Sequence, residues 1–237
     1  MSAVHKTTED AVIFDLAAEE LRSLNAALQA LGGKTNRTAW TIVNPRGAHA
    51  IAVGVTAPVA ITIEGHAGYY CAGMNDGAFV TINGNAGTGL AENMMSGTVH
   101  VKGDASQSAG ATAHGGLLII DGNAAARCGI SMKGVDIVVK GNAGHMSAFM
   151  AQSGNLVICG DAGEALGDSL YEARLFVKGA VKSLGADCEG KEMTAEDKEI
   201  LSALLQKAGC HETPEEFTRY GSARTLYHFH VDNAGAY

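Results

Sequence analysis

Seven glycines at an unbroken spacing of 19 residues constrain this chain more than any other feature. They close the tripeptides Ile63-Glu64-Gly65, Ile82-Asn83-Gly84, Val101-Lys102-Gly103, Ile120-Asp121-Gly122, Val139-Lys140-Gly141, Ile158-Cys159-Gly160 and Val177-Lys178-Gly179. A unit of this length cannot bury its own apolar face, so a fixed period means that copies stack, each on the last.

The columns around each glycine say how. Four residues before it stand Ile61, Val80, Val99, Leu118, Ile137, Leu156 and Leu175, and two before it always Ile or Val. That is the period-2 pattern of a strand with one buried face. After the glycine come His66, Asn85, Asp104, Asn123, Asn142 or Asp161, and glycine followed by Asn or Asp reads as turn chemistry that tolerates positive φ. The pattern predicts an all-β core, a right-handed parallel β-helix of about seven 19-residue turns. Successive turns lie about 4.8 Å apart, with Gly65, Gly84, Gly103, Gly122, Gly141, Gly160 and Gly179 as structural turn glycines in one file. Cys71 and Cys128 then share a column three turns apart, roughly 14 Å, beyond disulfide reach.

Helices flank the repeats. Asp15 is positioned to cap one carrying Leu21, Leu24, Leu28 and Leu31, stopped by Gly32-Gly33. Thr194 with Asp197 resembles a capping box, followed by an apolar stripe of Ile200, Leu201, Leu204 and Leu205 that ends at Gly209; Thr213-Pro214-Glu215-Glu216 begins a third, short helix. The organisation expected is an N-terminal helical segment over 1–40, the β-helix over 41–190, and C-terminal helices and tail over 191–237 that pack on the β-helix or on a partner. Covering the open ends of the stack is the helices' expected task, since unpaired strand edges invite aggregation.

One outward column breaks the polar rule. Three residues before each glycine stand Thr62, Thr81 and His100, then Ile119, Val138, Val157 and Phe176. Water should not see the last four. Either the chain's own C-terminal helix covers them or they are a candidate partner interface.

Composition excludes several functions. A net charge of −8 with no basic cluster argues against nucleic acid and against acidic membrane surfaces as partners. No apolar run reaches membrane-spanning length and the N-terminus lacks a signal-peptide core, so a cytoplasmic location is expected. Five cysteines without a C-x-x-C pair suit a reducing compartment and predict neither metal nor iron–sulfur cluster. His228 and His230 lack a third ligand at zinc-like spacing. Asp76, Asp104, Asp121, Asp161 and Asp168 are the carboxylates available for a sugar-cleaving groove, yet aromatics, at 5%, are few for carbohydrate subsites. No catalytic, cofactor-binding or metal-binding residue is assigned.

The stacked G-x-x-G units, the leading segment Asn44-Pro45-Arg46-Gly47-Ala48-His49 with Ala52-Val53-Gly54, and the trailing segment Arg219-Tyr220-Gly221-Ser222-Ala223-Arg224 together resemble the C-terminal β-helix (GXGXG) domain of the glutamate synthase large subunit. The likeness runs over roughly residues 40 to 230, and is strongest to the free-standing β-helix subunit of N-methylglutamate synthase. The resemblance implies a non-catalytic structural subunit of a methylamine-glutamate N-methyltransferase type of complex. Its partners would be a class II glutamine amidotransferase-like subunit and an FMN-binding glutamate synthase-like subunit, with FMN in the partner and no cofactor in this chain. Position 2 is Ser2 rather than a nucleophilic cysteine, in keeping with that role. Two other readings share the architecture: a chain like the glycine-ladder component of formylmethanofuran dehydrogenase, in a formyltransferase-hydrolase complex, and a carbohydrate-acting β-helix protein.

Overall fold

Each glycine-tagged tripeptide ends a strand, and the strands stack in parallel in the register that the repeat dictates. The computed structural model describes residues 7–8, 11–32 and 39–224; Gly33, His228 and His230 lie outside the described residues. In chain order the elements are β1 (Thr7–Thr8), β2 (Ala11–Asp15), α1 (Leu21–Gln29), β3 (Ala39–Val43), β4 (Ala60–Glu64), β5 (Asp76–Ile82), β6 (Ser96–Val101), β7 (Leu117–Ile120), β8 (Lys133–Val139), β9 (Ser153–Ile158), β10 (Arg174–Val177), β11 (Cys188–Lys191), α2 (Ala195–Ala208) and β12 (Thr218–Ser222). The result, among the described residues, is a parallel β-solenoid of about seven glycine-bearing turns with two α-helices and, at Pro214–Glu216, the third helix as a single 3-10 turn.

From β4 to β10 the partners run Ile61, Val80, Val99, Leu118, Ile137, Leu156, Leu175 in one ladder and Ile63, Ile82, Val101, Ile120, Val139, Ile158, Val177 in the other. Both ladders are buried at 0–1% exposure. A third wall is made by the bridges Ala67↔Ala86↔Ala105↔Ala124↔Ala143↔Ala162.

The glycines do stand in single file, but for a different reason from the one expected. Only Gly65 of the seven has a positive φ. At Gly84, Gly122, Gly141, Gly160 and Gly179 an added Cβ would come within 2.5–2.8 Å of the carbonyl oxygen of the glycine one coil earlier. From Gly103 on, each glycine N–H donates to the carbonyl of the glycine one coil earlier, Gly103 to Gly84 at 3.1 Å and Gly141 to Gly122 at 2.9 Å. Close backbone approach, not turn geometry, demands glycine here. The residues that follow are likewise not in left-handed conformations. They form an acceptor ladder in which His66 Nδ1 and the Oδ1 atoms of Asn85, Asp104, Asn123, Asn142 and Asp161 each accept from the backbone N–H that heads the next coil, at 2.7–3.0 Å.

Positive φ is found elsewhere, five, seven and nine residues after each of the first six glycines. Tyr70, Ala72 and Met74 begin these three files, and Met146, Ala148 and Met150 repeat them. Their N–H groups alternate in direction: Tyr70 donates forward to Thr88 and Met74 forward to Glu92, while Ala72 donates back to Ile51. The non-strand wall is thereby hydrogen-bonded coil to coil, which satisfies backbone groups that would otherwise be stranded.

Residues 11–32 are not helical alone. β2 pairs in parallel with β3, and β3 with β4, extending the sheet below the first tagged coil. Asp15 does not cap α1, whose N-cap residue is Glu20; its carboxylate accepts instead from Ala17 N and Asn44 Nδ2, both at 2.8 Å. Leu24 and Leu28 of α1 join the main core, and Asn25 and Gln29 donate to the carbonyls of Ala50 and Val53 at 2.8 Å. At the far end the edge of β10 is covered by a strand, β12, which pairs antiparallel with β10 and with β11.

The glycine file generates a direct test. Gly141→Ala should destabilise the chain by about 2–3 kcal/mol through overpacking, a fall in melting temperature of roughly 5–10 °C. Gly190→Ala, where an added Cβ meets nothing within 4 Å, should stay within about 0.5 kcal/mol of wild type in the same thermal or urea melts.

Candidate functional site

The outer face of the sheet is divided in two by α2. Ile119, Val138, Val157 and Phe176, the candidate partner interface, are 0–4% exposed beneath it, packed with Leu201, Leu204, Leu205, Ala208 and Phe217 in a second core. They offer no surface to a partner, because the chain's own apolar stripe has taken it. Each leucine buried this way contributes about 1.5–3 kcal/mol.

Charge fixes the helix in place. The capping box is complete: Thr194 Oγ1 accepts from Asp197 N at 3.1 Å, and Asp197 Oδ2 accepts from Thr194 N at 3.1 Å. The Asp197 side chain is 3% exposed, with Arg219 Nε 3.2 Å from Oδ2 and Arg174 Nη1 3.6 Å from Oδ1. Those approaches pair charges without aligning either N–H for a hydrogen bond. Burial works to raise the Asp197 pKa, but the Thr194 hydrogen bonds and the two guanidinium groups outweigh it and hold the carboxyl below its ordinary value of 3.8. Lys178 Nζ adds a contact to Glu216 at 2.9 Å.

Among the described residues no helix covers the other half of the outer face. Thr41, Thr62, Thr81 and His100 continue the same column, beside Phe79 at 55% and Ile13 at 41% exposure. Along its margin runs a charged column of Glu64, Asn83, Lys102, Asp121, Lys140, Cys159 and Lys178. Asp121 is its hub, 2.8 Å from Lys140 Nζ, 2.9 Å from His100 Nε2 and 3.5 Å from Lys102 Nζ. Partial burial tends to raise its pKa, and the Lys140 and His100 hydrogen bonds bring it below the usual range.

Cys159 interrupts that charged column. Its thiol meets Cys210, just beyond the left-handed Gly209 that ends α2, and Glu212, with all three donor atoms within 4.8 Å of one another. Burial pushes Cys159 up to about 12 and raises Cys210 as well. Lys178 Nζ lies 3.6 Å from Glu212 Oε1. Of the described residues, these three are the ones grouped so that they can hold a metal ion. Sequence reasoning missed them because α2 must fold back before Cys210 reaches Cys159; an outward cysteine among lysines and aspartates was the available signal.

The carboxylates weighed for catalysis are engaged structurally. Asp104 and Asp161 belong to the acceptor ladder, Asp76 accepts from Ser96 Oγ at 2.7 Å, and Asp168 accepts from Ser169 Oγ at 2.8 Å. His49, in the leading segment, stacks on Tyr69 and accepts from its N–H through Nδ1 at 2.9 Å. Cys71 and Cys128 are free, buried thiols, each pushed up to about 12 by burial. Among the described residues no helix is long and apolar enough to cross a membrane.

The latch formed by α2 can be broken in two ways. Val138→Asp or Val157→Asp places an unpaired charge in the second core at a cost of several kcal/mol, so the isolated chain should lose folding itself, seen as protease sensitivity and reduced helical circular dichroism. Asp197 has a depressed pKa, so its contribution is full above 3.8 and drains as pH falls through the lower folded value. Asp197→Asn should therefore be less stable than wild type near neutral pH, and the gap should shrink in melts between pH about 5 and pH about 2.5.

No family model matches the chain. Over 226 residues it is 64% identical to Protein GlxC of Rhizobium meliloti (strain 1021), an alignment covering 95% of this chain and 99% of that protein.

Proposed function

The chain belongs to the family of Protein GlxC, and from that premise we propose that it is a non-catalytic structural subunit of a glutamate synthase-related complex. The finer form of this reading is an N-methylglutamate synthase type of assembly, in which the solenoid bridges a class II amidotransferase-like subunit and an FMN-binding synthase-like subunit. FMN belongs to that partner. The amine would pass between two sites that the bridging subunit holds at constant separation.

One observation carries the reading. The leading and trailing segments on which the glutamate synthase resemblance rests lie at opposite ends of one continuous ladder. Asn44–His49 begins the coil below Gly65, and Arg219–Ser222 falls in β12, which closes the edge of β10. Eight parallel strands, β3 to β10, separate the ends by on the order of 40 Å. A stack bonded coil to coil through both its strand wall and its left-handed wall resists bending, which suits a spacer between two active sites. The half of the outer face left free by α2, with Phe79 and the threonine column, is available for docking.

Affinity purification of the tagged chain from its native cells tests this. An amidotransferase-like chain and a flavin-bearing chain should copurify, the flavin visible by absorbance, and transferase activity should require all of them. Transferase activity in the chain alone would reject the scaffold role, and companions that handle a formyl carrier would replace the complex proposed here.

A further inference from the structure

We propose that Cys159, Cys210 and Glu212 form a binding site for one zinc-class divalent cation, with the fourth coordination position open. The site stands on its own residues, whatever complex the chain joins.

The geometry is close to what such a cation needs. With metal–sulfur bonds of about 2.3 Å and a metal–oxygen bond of about 2.0–2.2 Å, donor atoms of a tetrahedral site stand roughly 3.3–3.8 Å apart. The three donors here lie within 4.8 Å of one another, so displacements of about 1 Å or less assemble the site. The donor set selects the metal class: two thiolates disfavour magnesium and calcium, and the carboxylate makes the set harder than copper(I) prefers. Binding replaces two thiol protons, which leave to solvent, and the two thiolates with the Glu212 carboxylate then exceed the cation's charge by one. Lys178, 3.6 Å from Glu212, is placed to balance that excess.

Position in the fold argues that the pairing is specific. Cys159 follows the last residue of β9 in a column otherwise occupied by Glu64, Asn83, Lys102, Asp121, Lys140 and Lys178, and there it packs beside Cys210 at the margin of the second core. It stands where the chain leaving α2 crosses the sheet margin, and that crossing supplies both other donors. A cation here would tie the connection after α2 to the solenoid. All three residues are half-buried, so an ion can enter from solvent.

The test uses the full chain, reduced with a thiol-free reductant and stripped with chelator, then titrated with Zn2+ against a chromophoric competitor and, separately, with Co2+. One Zn2+ per chain is expected, with a thiolate-to-cobalt charge-transfer band and a rise in melting temperature on loading. Cys159→Ser and Cys210→Ser should each weaken binding by at least about tenfold, the lower bound seen even for outer-shell changes, and reduce the cobalt band, which the double change should abolish. Glu212→Gln should weaken binding with the band retained, and Cys188→Ser should behave as wild type, far-UV circular dichroism confirming that every variant folds. Substoichiometric binding, binding that survives the Cys159→Ser/Cys210→Ser double change, or a Cys159–Cys210 disulfide formed under glutathione disulfide with no uptake of metal by the reduced chain would each overturn the proposal.

Discussion

Backbone meets backbone once per coil, at a place where no β-carbon fits. The N–H of Gly122 donates to the carbonyl of Gly103, that of Gly141 to Gly122, and that of Gly160 to Gly141, at 2.9–3.0 Å. This contact sets the rise between coils, and the other ladders inherit it. The apolar strands fall into register because the glycines do, and the Asn and Asp acceptors reach the next coil's N–H because the intervening glycine leaves them room. A side chain at any of these positions would wedge two coils apart, and in a stack that displacement spreads to the neighbours.

Strain is carried by the opposite wall. Nineteen non-glycine residues among those described have positive φ, including Tyr70, Arg127 and Met146, whose side chains do not favour it. Each such conformation costs roughly 1–2 kcal/mol on its own and persists only where the surroundings over-determine it. Here the surroundings are the coils above and below, hydrogen-bonded in alternate directions through those same residues. The arrangement is stable only as a stack, which makes the stack stiff.

The period made the strand wall legible: every residue placed in the two apolar ladders is there, and Thr194 with Asp197 announced the start of α2 through side-chain chemistry alone. The left-handed files were not legible, because Tyr70, Met74 and Arg127 carry no turn signature and their conformation is imposed by neighbours 19 residues away. β2 and β3 escaped because their spacings, Ile13 to Thr41 and Thr41 to Thr62, are 28 and 21 residues rather than 19. The Ile119–Phe176 column could not decide between a helix of the same chain and a partner, since both present the same apolar surface to it. In the structure Leu201, Leu204, Leu205 and Ala208 of α2 cover the column, and Arg174 and Arg219 pair with carboxylates in the first turn of that helix, a match that nothing in their sequence positions shows. Cys159 and Cys210 are joined by the same fold-back, which explains why spacing alone found no ligand set.

The proposed spacer role requires that the register not slip, so the glycine file is where this account is most exposed. Native-state amide hydrogen exchange on the intact chain measures it. The N–H groups of Gly103, Gly122, Gly141 and Gly160, though partly exposed to solvent, should exchange only through global unfolding, as slowly as the buried strand amides of Ile120 and Val139. Exchange of those four glycines at the rate of surface loops would contradict the account, because it would mean that the coils are not held together where their backbones meet.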